Sequence, residues 1–268
     1  MRVAAVILVI LSAACGSAEA PAAPPLLSGT IVDLSHPYND QTLFWPTAER
    51  FALQPVADGM TPGGFYYAAN RFSMEEHGGT HVDAPRHFAA GRWTVDEIPM
   101  DRLRGAAVVL DVTEQAARDA DYQATVGDLQ TWEREHGAIP AQAFLLIRTG
   151  YGTRWPDASR YLGTSERGQE AVAKLHFPGL HPDAARWLVR ERRPSAVGID
   201  TASIDYGQST AFESHRVLFD QNIPAFENLA ALDRLPPTGA VVIALPMKIA
   251  GGSGAPLRAV AILPAPER

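Results

Sequence analysis

The chain has 268 residues, 46% of them apolar and 20% charged, which is the composition of a globular protein of one large domain or two small ones. Its formal net charge of −7 argues against nucleic acids and anionic membrane surfaces as partners, because both bind basic patches. The single cysteine, Cys15, excludes an intramolecular disulfide, and the mature domain has neither a cysteine nucleophile nor a thiolate metal site. Any reactive centre must be built from other side chains.

The N-terminal segment has the pattern of an export signal. Arg2 precedes an apolar stretch at residues 3–11 that is too short to span a bilayer, and small residues follow it. Ala18-Glu19-Ala20 suits a signal peptidase, whereas the residues up to Cys15 resemble a bacterial lipoprotein signal in which Cys15 carries the lipid. Both routes predict an exported protein, periplasmic or lipid-anchored to a bacterial membrane. The predicted organisation is a signal at residues 1–20, a linker at 21–27 and one domain at 28–268.

Beyond the linker, short apolar runs rich in Val and Ile alternate with helical patterns. The clearest helix begins at Thr125, which is spaced with Asp128 as a capping box, and ends at Gly137. Mixing of strands and helices along one chain predicts an α/β domain. The predicted strands are residues 30–34, 66–72, 106–112, 144–148, 196–199, 240–245 and 257–263, and the predicted helices are residues 125–137, 181–194 and 213–222.

Residues 77–87, HGGTHVDAPRH, hold three of the eight histidines of the chain. The two glycines, the β-branched residues and Pro85 disfavour a helix, so we interpret the segment as a loop that enters a strand. In a strand, His81 and Asp83 project to the same side, and His77 reaches them across the Gly-Gly turn. Two imidazoles and a carboxylate form an open partial shell for zinc, manganese or iron(II). His87 is either a fourth ligand or, as we prefer, a nearby acid/base group.

Spacing alone says less about the other histidines. His136 and His181 fit the ends of predicted helices, whereas His215 fits a metal ligand and a structural residue equally well. Four polar residues follow a predicted strand, and they either orient a ligand histidine through hydrogen bonds or form a polar strand end and turn: Asp200, Thr201, Ser203 and Asp205.

The residues resemble a known family. HGGTHVDAPRH resembles the HxGTHxDxPxH signature of the cyclase-like metal-dependent hydrolases, which include bacterial kynurenine formamidases and isatin hydrolases. GIDTASID at 198–205, the pair His215 and Glu227, and LPMKIAGGSGAPLRAVAIL at 245–263 are similar to further blocks of that family. The resemblance extends over residues 28–264, which is nearly the whole predicted domain.

This resemblance implies a single compact α/β domain with a mixed β-sheet core and flanking helices, which forms a homodimer. It implies one or two divalent ions, zinc or manganese. His87 would donate and accept the proton, and Trp45 would contact the substrate, although a core aromatic is the alternative for Trp45. The implied metal ligands are His77, His81 and Asp83 for a first ion, and His215 and Glu227, with Asp83 bridging, for a second.

The implied reaction is hydrolysis of an amide C–N bond by metal-activated water. The export signal and the aromatic-rich stretch at 151–171 favour a cyclic or aryl amide such as isatin, with hydrolysis of N-formylkynurenine as the alternative. An exported protein that binds a metal or a ligand without catalysis is the hypothesis from another class. Such a carrier has little use for a histidine such as His87 that is kept off the metal.

Overall fold

The computed structural model describes residues 29–264. The predicted export signal, the linker and Cys15 lie outside the described residues. Within residues 29–264, no helix has both the length and the apolar character needed to cross a membrane.

Eight strands form one mixed sheet in the order β1-β12-β11-β5-β7-β9-β10-β4, and two further pairs are β2-β3 and β6-β8. The strands of the described residues are β1 (Thr30–Asp33), β2 (Ala52–Met60), β3 (Tyr66–Ser73), β4 (His81–Asp83), β5 (Arg104–Asp111), β6 (Gln123–Ala124), β7 (Phe144–Arg148), β8 (Gly179–Leu180), β9 (Ala196–Ile199), β10 (Ala225–Glu227), β11 (Val241–Pro246) and β12 (Gly254–Leu263).

The large sheet closes on itself. Strands β5, β7, β9 and β10 are parallel neighbours, whereas the other pairings in this sheet are antiparallel. Strand β4 pairs with β10 on one side and with the first residues of β12 on the other. The sequence-based prediction of a mixed sheet is confirmed, and closure through β4 makes that sheet a barrel.

The closed sheet has a core on each face. Phe144 and Leu146 of β7 lie in one apolar cluster with Phe226, whereas the alternating Leu145 and Ile147 lie in the other cluster, against the helices. The helices therefore flank the sheet, as predicted. Those of the described residues are α1 (Thr113–Arg118), α2 (Val126–His136), α3 (Ala158–Tyr161), α4 (Gln169–Val172), α5 (Pro182–Glu191) and α6 (Glu213–Phe219).

Most of the longer elements match the prediction, whereas strand β2, of nine residues, and several short elements were missed. The predicted strands at 144–148 and 196–199 have the observed bounds, and the capping box of α2 is present, with Asp128 N 3.2 Å from Thr125 Oγ1 and Thr125 N 2.7 Å from Asp128 Oδ2. Strand β4 is the strand predicted after the Gly-Gly turn, whereas β10 has only three residues, all buried, and no periodicity that a sequence pattern could reveal. Strands β6 and β8 and helices α1, α3 and α4 were missed as well.

Strands β2 and β3 form an antiparallel hairpin with an exposed apolar face. The register places Leu53 opposite Phe72 and Met60 opposite Tyr66, and these four side chains are 48–69% exposed. A two-stranded hairpin that buries so little of its own surface is marginally stable in water on its own. An exposed apolar patch of this kind is a candidate surface for contact with another molecule.

The stretch at 151–171 packs onto the sheet instead of forming a detached insertion. The Tyr161 hydroxyl of α3 lies 2.9 Å from Asn228 Oδ1 and 3.1 Å from the Asp200 carbonyl oxygen. Trp155 stacks on His36 with ring centroids 4.2 Å apart and an interplanar angle of 8°. These contacts join the stretch to the chain segments that follow β1, β9 and β10.

The stacked His36 makes stability depend on pH. Burial disfavours its imidazolium form and, against the opposing attraction of Asp33, lowers its pKa from 6.5 to about 4. Between these values the unfolded chain binds a proton that the folded chain does not, so we expect the free energy of unfolding to fall as the pH decreases from 6.5 to 4. His36→Gln should remove this contribution, on the order of 1 kcal/mol per pH unit within that window.

Urea denaturation of both proteins from pH 4.5 to pH 7.5 checks this expectation. The difference in free energy of unfolding between the two proteins above pH 7 measures the packing lost in His36→Gln. The change of that difference with pH reports the titration of His36. Parallel pH dependences for the two proteins would contradict the assignment to His36.

Candidate active site

The HGGTH turn can form only with glycine at its centre. Gly79 has φ +57°, and a Cβ there would lie 2.5 Å from the Tyr38 ring. A Cβ on Gly78 would lie 2.0 Å from Phe44. The Tyr38 hydroxyl lies 3.0 Å from the carbonyl oxygen of Gly78 and 2.5 Å from that of Thr80. The turn is therefore held against Tyr38 and Phe44, and it presents the flanking histidines to the same space.

The fold brings two distant segments of the chain to this turn: one carries a glutamate and the other a histidine. Strand β4 carries His81 and Asp83, and its register with β10 places Glu227 directly opposite His81. Helix α6 packs on the segment that follows β4 and supplies His215. The structure thus brings together all five predicted metal ligands, although Glu227 is 150 residues from His77 in sequence.

The two carboxylate oxygens of Asp83 face different histidines. Oδ1 lies 2.7 Å from His77 Nδ1 and 3.0 Å from His81 Nε2, whereas Oδ2 lies 3.2 Å from His215 Nε2. Glu227 Oε1 lies 3.0 Å from His215 Nε2, and Oε2 lies 3.6 Å from His81 Nε2. All of these side chains are at most 5% exposed except His77, at 25%. With its two oxygens directed at different histidines, Asp83 has the arrangement that a carboxylate needs to bridge two sets of metal ligands.

The donor atoms fit a metal cation. His81 Nδ1 is 3.0 Å from the Gly79 carbonyl oxygen, so it carries the proton and leaves Nε2 as a lone pair. Within residues 29–264, His81 Nε2 has no hydrogen-bond partner. Asp83 Oδ1 is close to it, but a nitrogen lone pair and a carboxylate lone pair cannot form a hydrogen bond with each other. Converging lone pairs of imidazole and carboxylate groups are the ligands that zinc and manganese accept.

The ligand atoms divide into two overlapping sets. The sets are His77, Asp83 and His87, and His81, Asp83 and Glu227, with the ligand atoms of each set within 4.8 Å of one another. The resemblance implied a different division, with His77 and His81 in one set. Asp83 belongs to both sets in either case, and the assignment of individual ligands to one or two ions stays a prediction.

His87 lies at the end of a 3₁₀ turn, Pro85–His87, with its ring stacked on His77 at a centroid distance of 3.8 Å. Burial lowers its pKa to about 4, against the opposing effect of Asp83. The ring is therefore neutral near pH 7 and has a nitrogen available to accept a proton. The structure places His87 within reach of both roles considered from the sequence, and its preferred acid/base role stays a prediction.

Asp205 orients His215. Asp205 Oδ2 lies 2.6 Å from His215 Nδ1 and also accepts the His215 backbone N–H at 3.1 Å, while Oδ1 accepts the N–H of Ser214 at 3.0 Å. Burial works against the charged imidazole, but Asp205, Asp83 and Glu227 outweigh it and raise the pKa of His215 well above 6.5. Of the two possibilities considered for Asp205, the contact with the candidate ligand is the one observed.

A cavity of about 280 Å³ opens beside this cluster. Trp45 lines it, and its contact with a substrate stays a prediction; Phe88 and Phe212, which were not predicted from the sequence, line it too. Phe88 and Phe212 stack with centroids 5.0 Å apart, and Trp45 is 6.3 Å from Phe212. Phe88 directly follows the motif and could have been noticed, whereas Phe212 gave no signal. Leu162 shows that the stretch at 151–171 reaches the cavity.

Comparison with known proteins identifies the family. The family model described as "Putative cyclase" matches residues 32–206. An isatin hydrolase of Roseibium aggregatum is 34% identical over 209 residues, which cover 75% of this chain and 77% of that protein. A kynurenine formamidase of Salinibacter ruber is 32% identical over 234 residues, which cover 86% of this chain and 96% of that protein.

Solved structures of relatives share the fold. Isatin hydrolase A from Labrenzia aggregata, bound to benzyl benzoate, has a TM-score of 0.79 at 34% identity, covering 88% of this chain and 94% of its own. An isatin hydrolase bound to the product analogue thioisatinate has a TM-score of 0.80 at 30% identity, covering 90% and 95%. The chain therefore belongs to the cyclase family, as its motifs indicated, and it is a hydrolase.

Asp83 is the residue on which metal retention should depend most. Asp83→Asn preserves the shape of the side chain but removes the charge that faces three histidines, so we expect metal affinity to fall by more than the ~10–100-fold that loss of an outer-shell partner costs. Metal content of the purified protein, measured by mass spectrometry after gel filtration, checks this. Asp40→Asn, at an exposed position, is the matched control. Full metal content in Asp83→Asn would place the metal elsewhere.

Proposed function

We propose that the protein hydrolyses the amide C–N bond of a small cyclic or aryl amide, of the isatin type, with water as the nucleophile. One observation carries this proposal: a single cavity has an aromatic wall of Trp45, Phe88 and Phe212 and, facing the same space, the imidazole–carboxylate cluster around Asp83. The wall suits a flat apolar substrate, and the cluster suits the polar chemistry at its carbonyl group.

The cluster would hold one or two divalent ions through His77, His81, Asp83, His215 and Glu227. Its nitrogen and oxygen donors accept both zinc and manganese. When bound, such an ion supplies Lewis acidity, which polarises a carbonyl oxygen and lowers the pKa of water.

His87 moves the proton in this proposal. The oxygen of water bonds to the amide carbon, the C–N bond breaks, and the proton that water loses must reach the departing nitrogen. The neutral ring of His87 borders the cavity and can accept that proton and then deliver it. With a cyclic amide the acid and the amine stay in one product molecule.

Cavity size and relatives support the choice of substrate. A cavity of about 280 Å³ is slightly smaller than the ~300–1,000 Å³ of typical ligand sites, which favours a compact bicyclic substrate over a long flexible one. The proteins with TM-scores of 0.79 and 0.80 are isatin hydrolases. N-Formylkynurenine is the second candidate, because a kynurenine formamidase is 32% identical over most of the chain. A carrier without catalysis finds no support among these relatives.

The test compares hydrolysis of isatin and of N-formylkynurenine by metal-free protein reloaded with zinc or manganese. We expect faster turnover of isatin. In His87→Ala, kcat should fall by about 10²–10⁴-fold, the usual contribution of general acid–base catalysis, with metal content unchanged.

Each other result has a defined meaning. Preference for N-formylkynurenine would assign the protein to the formamidase branch. A loss of metal from His87→Ala would show that His87 is a ligand. Cleavage of neither substrate with either metal would contradict the proposed substrate class.

We also propose that the protein works outside the cytoplasm as a homodimer. The pattern at residues 1–20 supports export, with Cys15 as the lipid attachment site if the lipoprotein route is used. The exposed apolar face of the β2–β3 hairpin, formed by Leu53, Met60, Tyr66 and Phe72, supports a contact between subunits.

Fractionation of cells that express the full chain tests export, and the mass of the mature protein tests the route. Processing after Ala20 leaves a soluble periplasmic protein. Lipidation leaves a membrane-bound protein that Cys15→Ala should release from the membrane fraction. Full-length protein in the cytoplasm would contradict export, and a monomer in sedimentation velocity would contradict the dimer.

A further inference from the structure

A serine and a glutamate outside the predicted ligand set meet the exposed side of His77. Ser253 lies in the turn between β11 and β12, and Glu76 directly precedes His77 in sequence. His77 Nε2 is 3.0 Å from Ser253 Oγ, and Ser253 Oγ donates to Glu76 Oε2 at 2.7 Å. The same Glu76 oxygen accepts the backbone N–H groups of Ser253 at 3.0 Å and Gly254 at 3.3 Å.

The chemistry of these groups fixes the direction of each hydrogen bond. An ionised carboxylate only accepts, so the single hydroxyl proton of Ser253 points to Glu76. The lone pairs of Ser253 Oγ then face His77 Nε2, which must donate. Its proton is consequently on Nε2, and Nδ1 presents a lone pair 2.7 Å from Asp83 Oδ1, on the side where a metal would bind.

The other two histidines of the cluster are fixed by different partners. His81 donates to the Gly79 carbonyl oxygen at 3.0 Å, and His215 Nδ1 is held by the Asp205 carboxylate at 2.6 Å. Both of these rings are 3% exposed, whereas His77 is 25% exposed. His77 therefore has the least packing to hold its ring, and its orientation depends most on a hydrogen bond.

The glycine-rich turn leaves just enough room for this contact. A Cβ on Gly254 would lie 2.5 Å from His77 Cε1, and a Cβ on Gly252 would lie 2.9 Å from Glu76 Oε1. Larger residues at either position would push the imidazole or the carboxylate away from Ser253. The GGSG sequence is thus explained by close approach of the turn to His77 and Glu76.

We propose that Ser253 and Glu76 are positioning residues for the metal centre, which hold His77 with Nδ1 directed at the metal and polarise its ring through the Ser253 hydroxyl. This inference rests on the proposed function, because it assumes that His77 binds a metal. A hydrogen-bonded partner on the far nitrogen of a ligand histidine fixes its tautomer and raises its basicity, and loss of such a partner typically costs 10–100-fold in metal affinity.

A simpler role for Glu76 is to fasten the turn through the two backbone N–H groups. Ser253→Ala separates the two roles, because it removes only the hydroxyl and keeps the N–H groups that bind Glu76. Glu76→Gln removes the charge and leaves an oxygen that can still accept those N–H groups. Ser35→Ala is the matched control, since the Ser35 hydroxyl also joins two segments, accepting from Ala259 N at 2.8 Å away from the cluster.

The experiment titrates metal-free full-length protein with Co²⁺, a probe whose visible absorption reports its ligands. Dissociation constants come from competition with a chelator, and thermal unfolding of the metal-free proteins checks that each variant folds. We expect Ser253→Ala to bind Co²⁺ about 10–100-fold more weakly and with an altered absorption spectrum. Glu76→Gln should change both in the same direction, and Ser35→Ala should change neither.

Two results would overturn the proposal in distinguishable ways. Wild-type affinity and an unchanged spectrum in a folded Ser253→Ala protein would show that the hydroxyl does not position His77, and the metal site would stand. Failure of the wild-type protein itself to bind Co²⁺ would remove the proposed metal site, and the positioning role with it.

Discussion

The structure depends on keeping two carboxylates, Asp83 and Glu227, buried side by side. Each is at most 5% exposed, and removal of such a charge from water costs several kcal/mol unless partners compensate for it. Histidines surround both groups. Burial raises the pKa of Glu227, and repulsion by the Asp83 carboxylate raises it further. A divalent cation would neutralise both charges at once. The cluster is costly for stability alone, and its arrangement is understandable as a binding site.

Closure of the sheet makes this burial possible. Strand β4 has only three residues, but it pairs with both β10 and β12, so its backbone polar groups are satisfied deep in the protein. These two pairings also determine what faces His81 and Asp83: Glu227 comes from β10, and the turn with Ser253 precedes the paired residues of β12. The composition of the site therefore depends on closure of the barrel, since an open sheet would leave β4 without one of its two neighbours.

Local pattern was sufficient for most of the long elements and for the motif, and insufficient for the chain segments that contact them. Strand β7 and helix α2 follow from an apolar run and a capping box, and His81 and Asp83 follow from alternation along a strand. Closure of the sheet through β4 is a long-range pairing that no local period encodes. The contacts of Phe212 and Ser253 likewise depend on chain segments more than a hundred residues from the motif. Glu227 was found only through family resemblance, and spacing left His215 undecided between ligand and structural residue, because neither position has chemical meaning until β10 and α6 are placed.

The same distinction explains why the reaction class is clearer than the substrate. The proposed metal ligands and His87 lie on or beside short strands and turns that the closed sheet holds in register. The aromatic wall is built from segments outside the sheet: Trp45 precedes the hairpin, Phe212 precedes α6, and Leu162 belongs to the stretch at 151–171. Such segments change without disturbing the sheet, as loops on a rigid scaffold generally do. Differences in substrate within the family should therefore be sought in these segments, and the closed sheet should stay constant beneath them.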